Sequence, residues 1–353
     1  MRDTRHGRHV RDNSAHIKSG KKQDTGAIAF FKPFLIFFVI FTILLIPVNV
    51  AFAKLGAIRI FSGTENLADM DYILDEDNPF YDDYSGSNRV NILMLGVNDG
   101  LTDTIMLGSY NLDDQHVDII SVPRDTYYYR KGASGGSLKI NSIYAKDGAV
   151  GTAEAVSSVL MDIPINYYVV ISYDAVAKVV DAMGGVPMEI PNINGKGGMY
   201  YNDPYDTPPL KIALPAGQQL LDGKKAIQFL RFRKGYPEGD IGRVKAQQEF
   251  VKSAFRQALG KDLLKVIKTG LANVDSDISL GIATKLGTSA LGLSSSDMET
   301  HLTPGTSAMI SGLSYWQVDE RETEEMIDRI YNPEKYAEES EGTGEGEEGA
   351  SSN

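Results

Sequence analysis

Arginine is the side chain best shaped to grip a phosphate, because its planar guanidinium offers paired donors and stays charged. The chain sets arginines where such forks could be aimed. "SVPRDTYY" puts Arg124 and Asp125 directly after an apolar run, and "QFLRFRKG" puts Arg231 and Arg233 two residues apart. "GDIGRVKAQQEF" puts Arg243 and Gln247 one turn apart on one face if it is helical, with Asp240 placed to cap that helix. A helix N-terminus is itself an anion site. Each arginine alone reads as a structural ion pair or a solvated face. Converging, they would repel one another unless an anion or carboxylates offset the charge. A further stretch, "NILMLGVNDGLTDTIML", runs an apolar strand into Gly96 and then meets Asn98, Asp99 and Asp103. These are ordinary turn residues. They are also oxygen donors of the kind a magnesium ion takes when phosphate bridges to it.

The elements that must position these groups follow from periodicity. Short β-branched or aromatic runs at 90–95, 104–111, 117–122, 167–172 and 226–232 read as strands. If 226–232 is extended, Arg231 and Arg233 point to one face. Helices are expected over 151–160, 173–183, 241–258 and 261–271. The second carries Val176, Val179, Val180 and Met183 on one stripe and ends at Gly184-Gly185, a natural left-handed stop. That stripe suits core packing or an apolar lining equally. Strands interleaved with helices predict an α/β fold around a mixed sheet, whose ligand sites lie in loops beyond the strand ends.

At 353 residues the chain can hold one large or two modest domains. A run without charge, 33–53, is long enough to cross a bilayer as a helix. Before it, the first 26 residues carry seven basic and three acidic side chains, a bias that holds the N-terminus in the cytoplasm. "AFA" at 51–53 resembles a signal-peptide cleavage site, but the apolar run is long for one, so an uncleaved anchor is favoured. The expected organisation is a cytoplasmic basic arm (1–26), a transmembrane anchor (27–53), an acidic extracytoplasmic stalk (54–87), a folded domain (88–335) and a disordered acidic tail (336–353). With a net charge of −12, and more acid once the arm is set aside, nucleic acid is an unsuitable partner. The absence of cysteine excludes disulfides, thiolate metal sites and cysteine nucleophiles. His6, His9 and His16 lie on the arm, and His116 and His301 stand isolated, so neither a zinc cluster nor a Ser–His–Asp triad is expected. "NGKGG" and "GASGGS" lack the spacing of a phosphate-binding Walker loop. The tyrosines at 127–129, 144, 167 and 168 read as strand and core packing.

Taken in order, "NILMLGVNDGLTDTIML", "VDIISVPRDTYY", "KINSIYAKDG", "INYYVVISYDAVAKVVDAMGGVPMEIP", "LPAGQQLLDGKKAIQFLRFRKG" and "GDIGRVKAQQEF" resemble the LytR–CpsA–Psr family over about residues 88–335. The resemblance implies an α/β/α sandwich with a central mixed sheet and an apolar channel for a prenyl tail. It implies an enzyme that moves a glycopolymer, such as wall teichoic acid or capsular polysaccharide, from a polyprenyl diphosphate to peptidoglycan. The acceptor in that reading is the muramic acid 6-hydroxyl. Arg124, Arg231, Arg233 and Arg243 match family arginines that hold the diphosphate, Gln247 matches the family glutamine, and Asp240 the aspartate opening that helix. Asp103 matches one of two aspartates that bind Mg²⁺ (or Mn²⁺), and Asn98 or Asp99 stands near the place of the other. Leu101, Thr102 and Ala246 stand where family members often carry arginine. Asp125, Asp99 and Asp240 are the candidates to take the acceptor's proton. The implied location is the cell membrane of a Gram-positive-type bacterium, with the catalytic domain outside. Two alternatives remain open: a phosphatase using water at the same site, and a membrane-anchored lipid-precursor binding or regulatory protein without catalysis.

Overall fold

The apolar run ending at Gly96 folds as β1 (Arg89–Asn98), turns through Asp99 and Gly100, and returns as β2 (Leu101–Asn111). The computed structural model describes residues 77–204, 209–260 and 262–336, all within a unit running from Ile60 to Asn353. Ahead of β1, α1 (Tyr81–Gly86) carries Tyr84. After β2 come β3 (His116–Ser121), α2 (Tyr144–Val159), β4 (Tyr167–Ile171) and α3 (Tyr173–Ala182). Four short strands follow, β5 (Val186–Ile190), β6 (Gly198–Asp203), β7 (Leu210–Pro215) and β8 (Gly217–Leu221). The chain continues as α4 (Gly223–Arg231), α5 (Asp240–Ala258), α6 (Leu263–Leu271), β9 (Asp275–Ser276) and α7 (Leu280–Ser289). It closes with β10 (Met298–Leu302), the hairpin β11 (Gly305–Ile310) and β12 (Leu313–Val318), and α8 (Glu320–Tyr331).

The central sheet has the order β10-β3-β2-β1-β4-β9. It is mixed: β1–β2, β2–β3 and β4–β9 are antiparallel, whereas β1–β4 and β3–β10 are parallel. Alternation along the strands gives the sheet two apolar faces. Leu93, Leu95, Ile105, Leu107 and Ile120 pack on one side with Ala153 and Val156 of α2 and Ile327 and Ile330 of α8. On the other side Met106 and Ile119 meet Val251 and Phe255 of α5. A further core holds Val180, Ile190, Leu214, Phe229 and Phe250 between α3, α4, α5 and the short strands. Helices on both faces of a mixed sheet make the expected α/β/α layering.

Several expectations need correction. Residues 226–232 are not a strand: Asp222 accepts from Lys225 N at 2.8 Å and caps α4, and Gly223, Ala226 and Phe229 are buried at helical spacing. A seven-residue apolar run is too short for its period to separate the two states. The folded domain also begins before residue 88, because Phe80 and Tyr84, assigned to the stalk, are buried in the core at 4% and 5% exposure. α3 behaves as read, capped by Ser172 and closed where Gly184 and Gly185 take φ of 82° and 101°. The arm, the anchor, the stalk up to residue 76 and the tail beyond 336 lie outside the described residues. Among the described residues no helix is long and apolar enough to cross a membrane.

Candidate functional site

The "NDG" stretch is a hairpin, not an open loop. Asp99 and Gly100 take φ of 50° and 77°, the paired positive values of a tight two-residue turn, and Asp-Gly favours that turn. Asp103 therefore lies in β2 and not in the turn. The β1–β2 register pairs Gly96 with Thr104 but Val97 with Thr102, so Asp103 is an extra residue, a β-bulge. The bulge resets the side-chain alternation. Thr102 points to the backbone of Asn141 at 3.4 Å, while Asp103 and Thr104 both line a cavity on the opposite face.

That cavity, about 210 Å³, lies between the sheet, α3 and α5. Met94 and Met106 line it from the sheet, Val176, Val179, Val180 and Met183 from α3, and Leu230, Phe250 and Val251 from α4 and α5. The valine stripe thus serves core and lining together. Asp103, Thr104, Tyr173 and Gln247 are its polar lining residues.

Arginines gather around Asp103. Arg124 Nη1 donates to Asp103 Oδ1 at 2.5 Å and Arg233 Nη2 to Oδ2 at 3.3 Å. Arg124 follows β3 in a turn held by Thr126 N to Pro123 O at 2.9 Å and by Asn141 N to Arg124 O at 3.2 Å. Arg231 ends α4, with its guanidinium 5.3 Å from the centre of the Tyr173 ring, so it and Arg233 do not share a strand face. They reach the same neighbourhood from a helix end and from the loop after it. Gly239, with φ of 60°, occupies the N-cap of α5, and among the described residues no side chain caps that helix. Asp240, expected there, is instead the first helical residue, and its carboxylate accepts from Arg243 at 3.0 Å. Arg243 and Gln247 are both buried one turn apart on α5, as their spacing implies.

The electrostatics show how closely these charges crowd. Burial lowers the Arg243 pKa; Asp240 opposes this, while the charges of Arg124 and Arg233 add to it. For Arg124 burial also lowers the pKa, but Asp103, Asp125 and Asp240 outweigh it and the net shift is upward. The Tyr173 hydroxyl is pushed up by burial and by Asp103, against the pull of Arg233, Arg231 and Arg243. Three buried polar atoms here have no hydrogen-bond partner among the described residues: Arg124 Nε, Arg243 Nε and the Tyr236 hydroxyl. The last is pushed up to about 12 by burial. Buried polar atoms are ordinarily satisfied, so such a concentration marks a place shaped for a ligand.

Asp125 stands beside Arg124 in sequence, but its carboxylate accepts from Lys139 Nζ at 3.0 Å. Asn98 Nδ2 lies 3.3 Å from Asp99 Oδ2 on the turn. Asp99, Asn98 and Asp103 carry oxygen atoms of the type a hard cation takes, and both oxygens of Asp103 are held by arginines. Tyr173 and Tyr236 were not singled out from the sequence. The signals were position alone: Tyr173 opens α3 after its serine cap, and Tyr236 sits on the loop joining the two arginine stretches.

An apolar cavity beneath a lip of arginines, in an α/β/α sandwich, defines a class of protein built to hold an amphiphilic anion. Residues 58–332 match the LytR_cpsA_psr family, well over half of the chain, and the protein belongs to it. The polyisoprenyl-teichoic acid–peptidoglycan teichoic acid transferase TagU of Bacillus subtilis (strain 168) is 29% identical over 241 residues, 65% of this chain and 72% of that protein. The protein of the same name from Enterococcus faecalis (strain ATCC 700802 / V583) is 28% identical over 256 residues, 68% of this chain and 78% of that one. Among solved structures, B. subtilis TagV aligns with a TM-score of 0.59 at 22% identity, over 69% of this chain and 96% of TagV. TagT bound to LI-WTA aligns at 0.56 and 23%, over 69% and 90%. At these identities the structures support the fold.

Proposed function

We propose that the protein transfers a glycopolymer, teichoic acid or another wall polysaccharide, from a polyprenyl diphosphate to a peptidoglycan hydroxyl; its TagU relatives are named as polyisoprenyl-teichoic acid–peptidoglycan teichoic acid transferases. The observation that carries this reading is the juxtaposition of an apolar cavity with an arginine lip holding three unpartnered buried polar atoms. The prenyl tail occupies the cavity and the diphosphate meets Arg124, Arg231, Arg233 and Arg243, with Gln247 and Tyr173 beneath them. The acceptor oxygen bonds to the glycan-side phosphorus and the bond from that phosphorus to the bridging oxygen breaks. Polyprenyl phosphate departs with the electron pair, and the hydroxyl proton passes to a carboxylate at the mouth. Such transfers depend on positioning and on charges aimed at the phosphoryl oxygens, which is what fixed guanidinium groups supply. Asp103, with Asp99 and Asn98, would hold Mg²⁺ or Mn²⁺; when bound, that ion supplies charge neutralisation at the phosphates. Asp103 holds Arg124 and Arg233 together until substrate phosphate replaces it as their partner. No nucleotide is needed, because the diphosphate carries its own leaving group.

The uncharged run at 33–53 and the basic arm before it support an anchor in the cell membrane with this domain outside, where lipid carrier and wall meet. The test uses the full chain in lipid vesicles with a short lipid-linked glycan diphosphate, peptidoglycan oligomers and Mg²⁺, followed by mass spectrometry. A phosphodiester-linked glycan–muropeptide, lost in Arg233→Ala, is expected. Free glycan phosphate with or without peptidoglycan would replace this reading by the phosphatase, and bound but unchanged lipid by the non-catalytic binder. Asp125→Asn and Asp240→Asn assign the proton acceptor: the variant of the base loses kcat and keeps KM.

A further inference from the structure

On the sheet face away from the arginine lip, parallel pairing of β3 and β10 sets Glu299 beside Asp118 and His301 beside Ile120. Residues two apart on a strand share a face, so His116 and Asp118 meet Glu299 and His301. The two histidines that stand isolated in the sequence are therefore brought to a single carboxylate. His116 Nε2 is 3.5 Å and His301 Nε2 2.9 Å from Asp118 Oδ1. Ligand atoms of His116, Asp118 and Glu299 all lie within 4.8 Å of one another. Ligands bound to zinc at about 2.0–2.2 Å stand roughly 3.3 Å apart along a tetrahedral edge, so the three side chains close on an ion by drawing together by up to about 1.5 Å.

Asp118 is also held from behind. Arg89 Nη1 donates to its Oδ2 at 2.8 Å and to Ser109 Oγ at 3.2 Å, and Arg89 Nη2 donates to the Ile330 carbonyl. That leaves Oδ1 facing the histidines, the arrangement by which outer partners fix a metal-binding carboxylate. The cluster opens on a cavity of about 640 Å³ that is also lined by Asp114, Glu322, Glu325 and Arg329, with Glu325 paired to Arg329 at 3.0 Å.

We propose that His116, Asp118 and Glu299 bind one divalent transition-metal ion, zinc by its ligand chemistry, with His301 as a positioning residue on Asp118. Imidazole nitrogen separates this site from the all-oxygen donors at Asp99 and Asp103, which suit magnesium. The ion ties edge strand β10 to β3 across a long stretch of sequence, so its binding stabilises the folded chain.

The test uses the full chain with His6, His9 and His16 changed to glutamine, because the arm's own imidazoles would bind zinc. After chelator treatment and with excess Mg²⁺ present, Zn²⁺ is titrated calorimetrically and Co²⁺ by its visible d–d absorption. One ion per chain is expected, with a rise in melting temperature on zinc addition. His116→Ala and Glu299→Gln should each weaken binding at least tenfold, and His301→Ala should weaken it less, in the range of outer-partner substitutions. No saturable zinc binding, or the same affinity in the His116→Ala/Glu299→Gln double variant, would overturn the proposal. Glu299 is exposed, so Glu299→Gln keeps the test available should His116→Ala fail to fold.

Discussion

The protein holds two arginine–aspartate centres on opposite faces of one sheet, and they are finished differently. Arg89 and Asp118 are each about 4% exposed in their side chains, and Arg89 has three protein acceptors in Asp118, Ser109 and Ile330. At the lip, Asp103 shares two arginines, Arg233 is half exposed, and the Nε atoms of Arg124 and Arg243 have no partner among the described residues. A buried ion pair whose guanidinium is well supplied with acceptors is part of the architecture. An under-satisfied cluster with surplus positive charge costs stability and persists where a ligand repays it. The contrast is between a guanidinium satisfied by the protein itself and guanidinium groups left short of partners.

The sharpest way to break that contrast is to remove one aspartate from each centre. Asp118→Asn leaves Arg89 buried beside a neutral partner and should cost about 3–5 kcal/mol in chemical denaturation. Asp103→Asn should cost much less stability while transfer activity collapses. Equal stability losses would erase the distinction. Next comes Arg243→Met. Burial and neighbouring arginines already disfavour this charge, so stability should hold or rise while the transfer rate falls about 10²–10³-fold, as for loss of one preorganised donor. A Met variant that is both active and unstable would move Arg243 into the structural class.

A smaller effect is expected from Val176→Trp, which fills the cavity. KM for a long-chain donor should rise about tenfold or more, the equivalent of two methylenes or more at about 0.8 kcal/mol each. A short-chain donor should be nearly unaffected. Equal effects on both donors would place the tail elsewhere. The smallest concerns pH. His116 has a raised pKa, through its hydrogen bond to Asp118 against burial, with Asp118 and Glu299 adding attraction and Arg89 repulsion. Its contribution to stability is complete below its ordinary pKa and is lost as pH rises through the raised one. With chelator present, the melting temperature should fall by about 1 °C more between pH 6 and 8 than in His116→Gln. A parallel slope in both proteins would remove His116 from the ionic cluster.

Much of the site was legible because its residue types are unusual where they stand. Arg124 after an apolar strand, Arg243 and Gln247 one turn apart, and an acidic stretch after Gly96 all stand out against ordinary patterning. The layered α/β architecture and most of its longer strands and helices also follow from periodicity. Asp103's orientation did not, because a bulge changes side-chain parity without changing composition. The end of α4 did not either: a short run with arginines two apart reads equally as a strand, and the i, i+3 burial of Gly223, Ala226 and Phe229 is visible only once packed. Phe80 and Tyr84 were hidden by the acidic residues around them.

Local chemistry along the chain determined most of the longer elements, where α3 stops, and which side chains could serve phosphate or a hard cation. That follows because propensity, caps and amphipathic period act over a few residues. Which groups meet was decided only by the tertiary structure. Arg124 and Arg233 meet on Asp103 from a strand end and a loop, Arg243 adds its charge from a helix start, and His116 joins His301 through a parallel pairing of distant strands. Sheet order and register are set by burying both faces at once, a condition summed over the whole fold and carried by no single stretch of it.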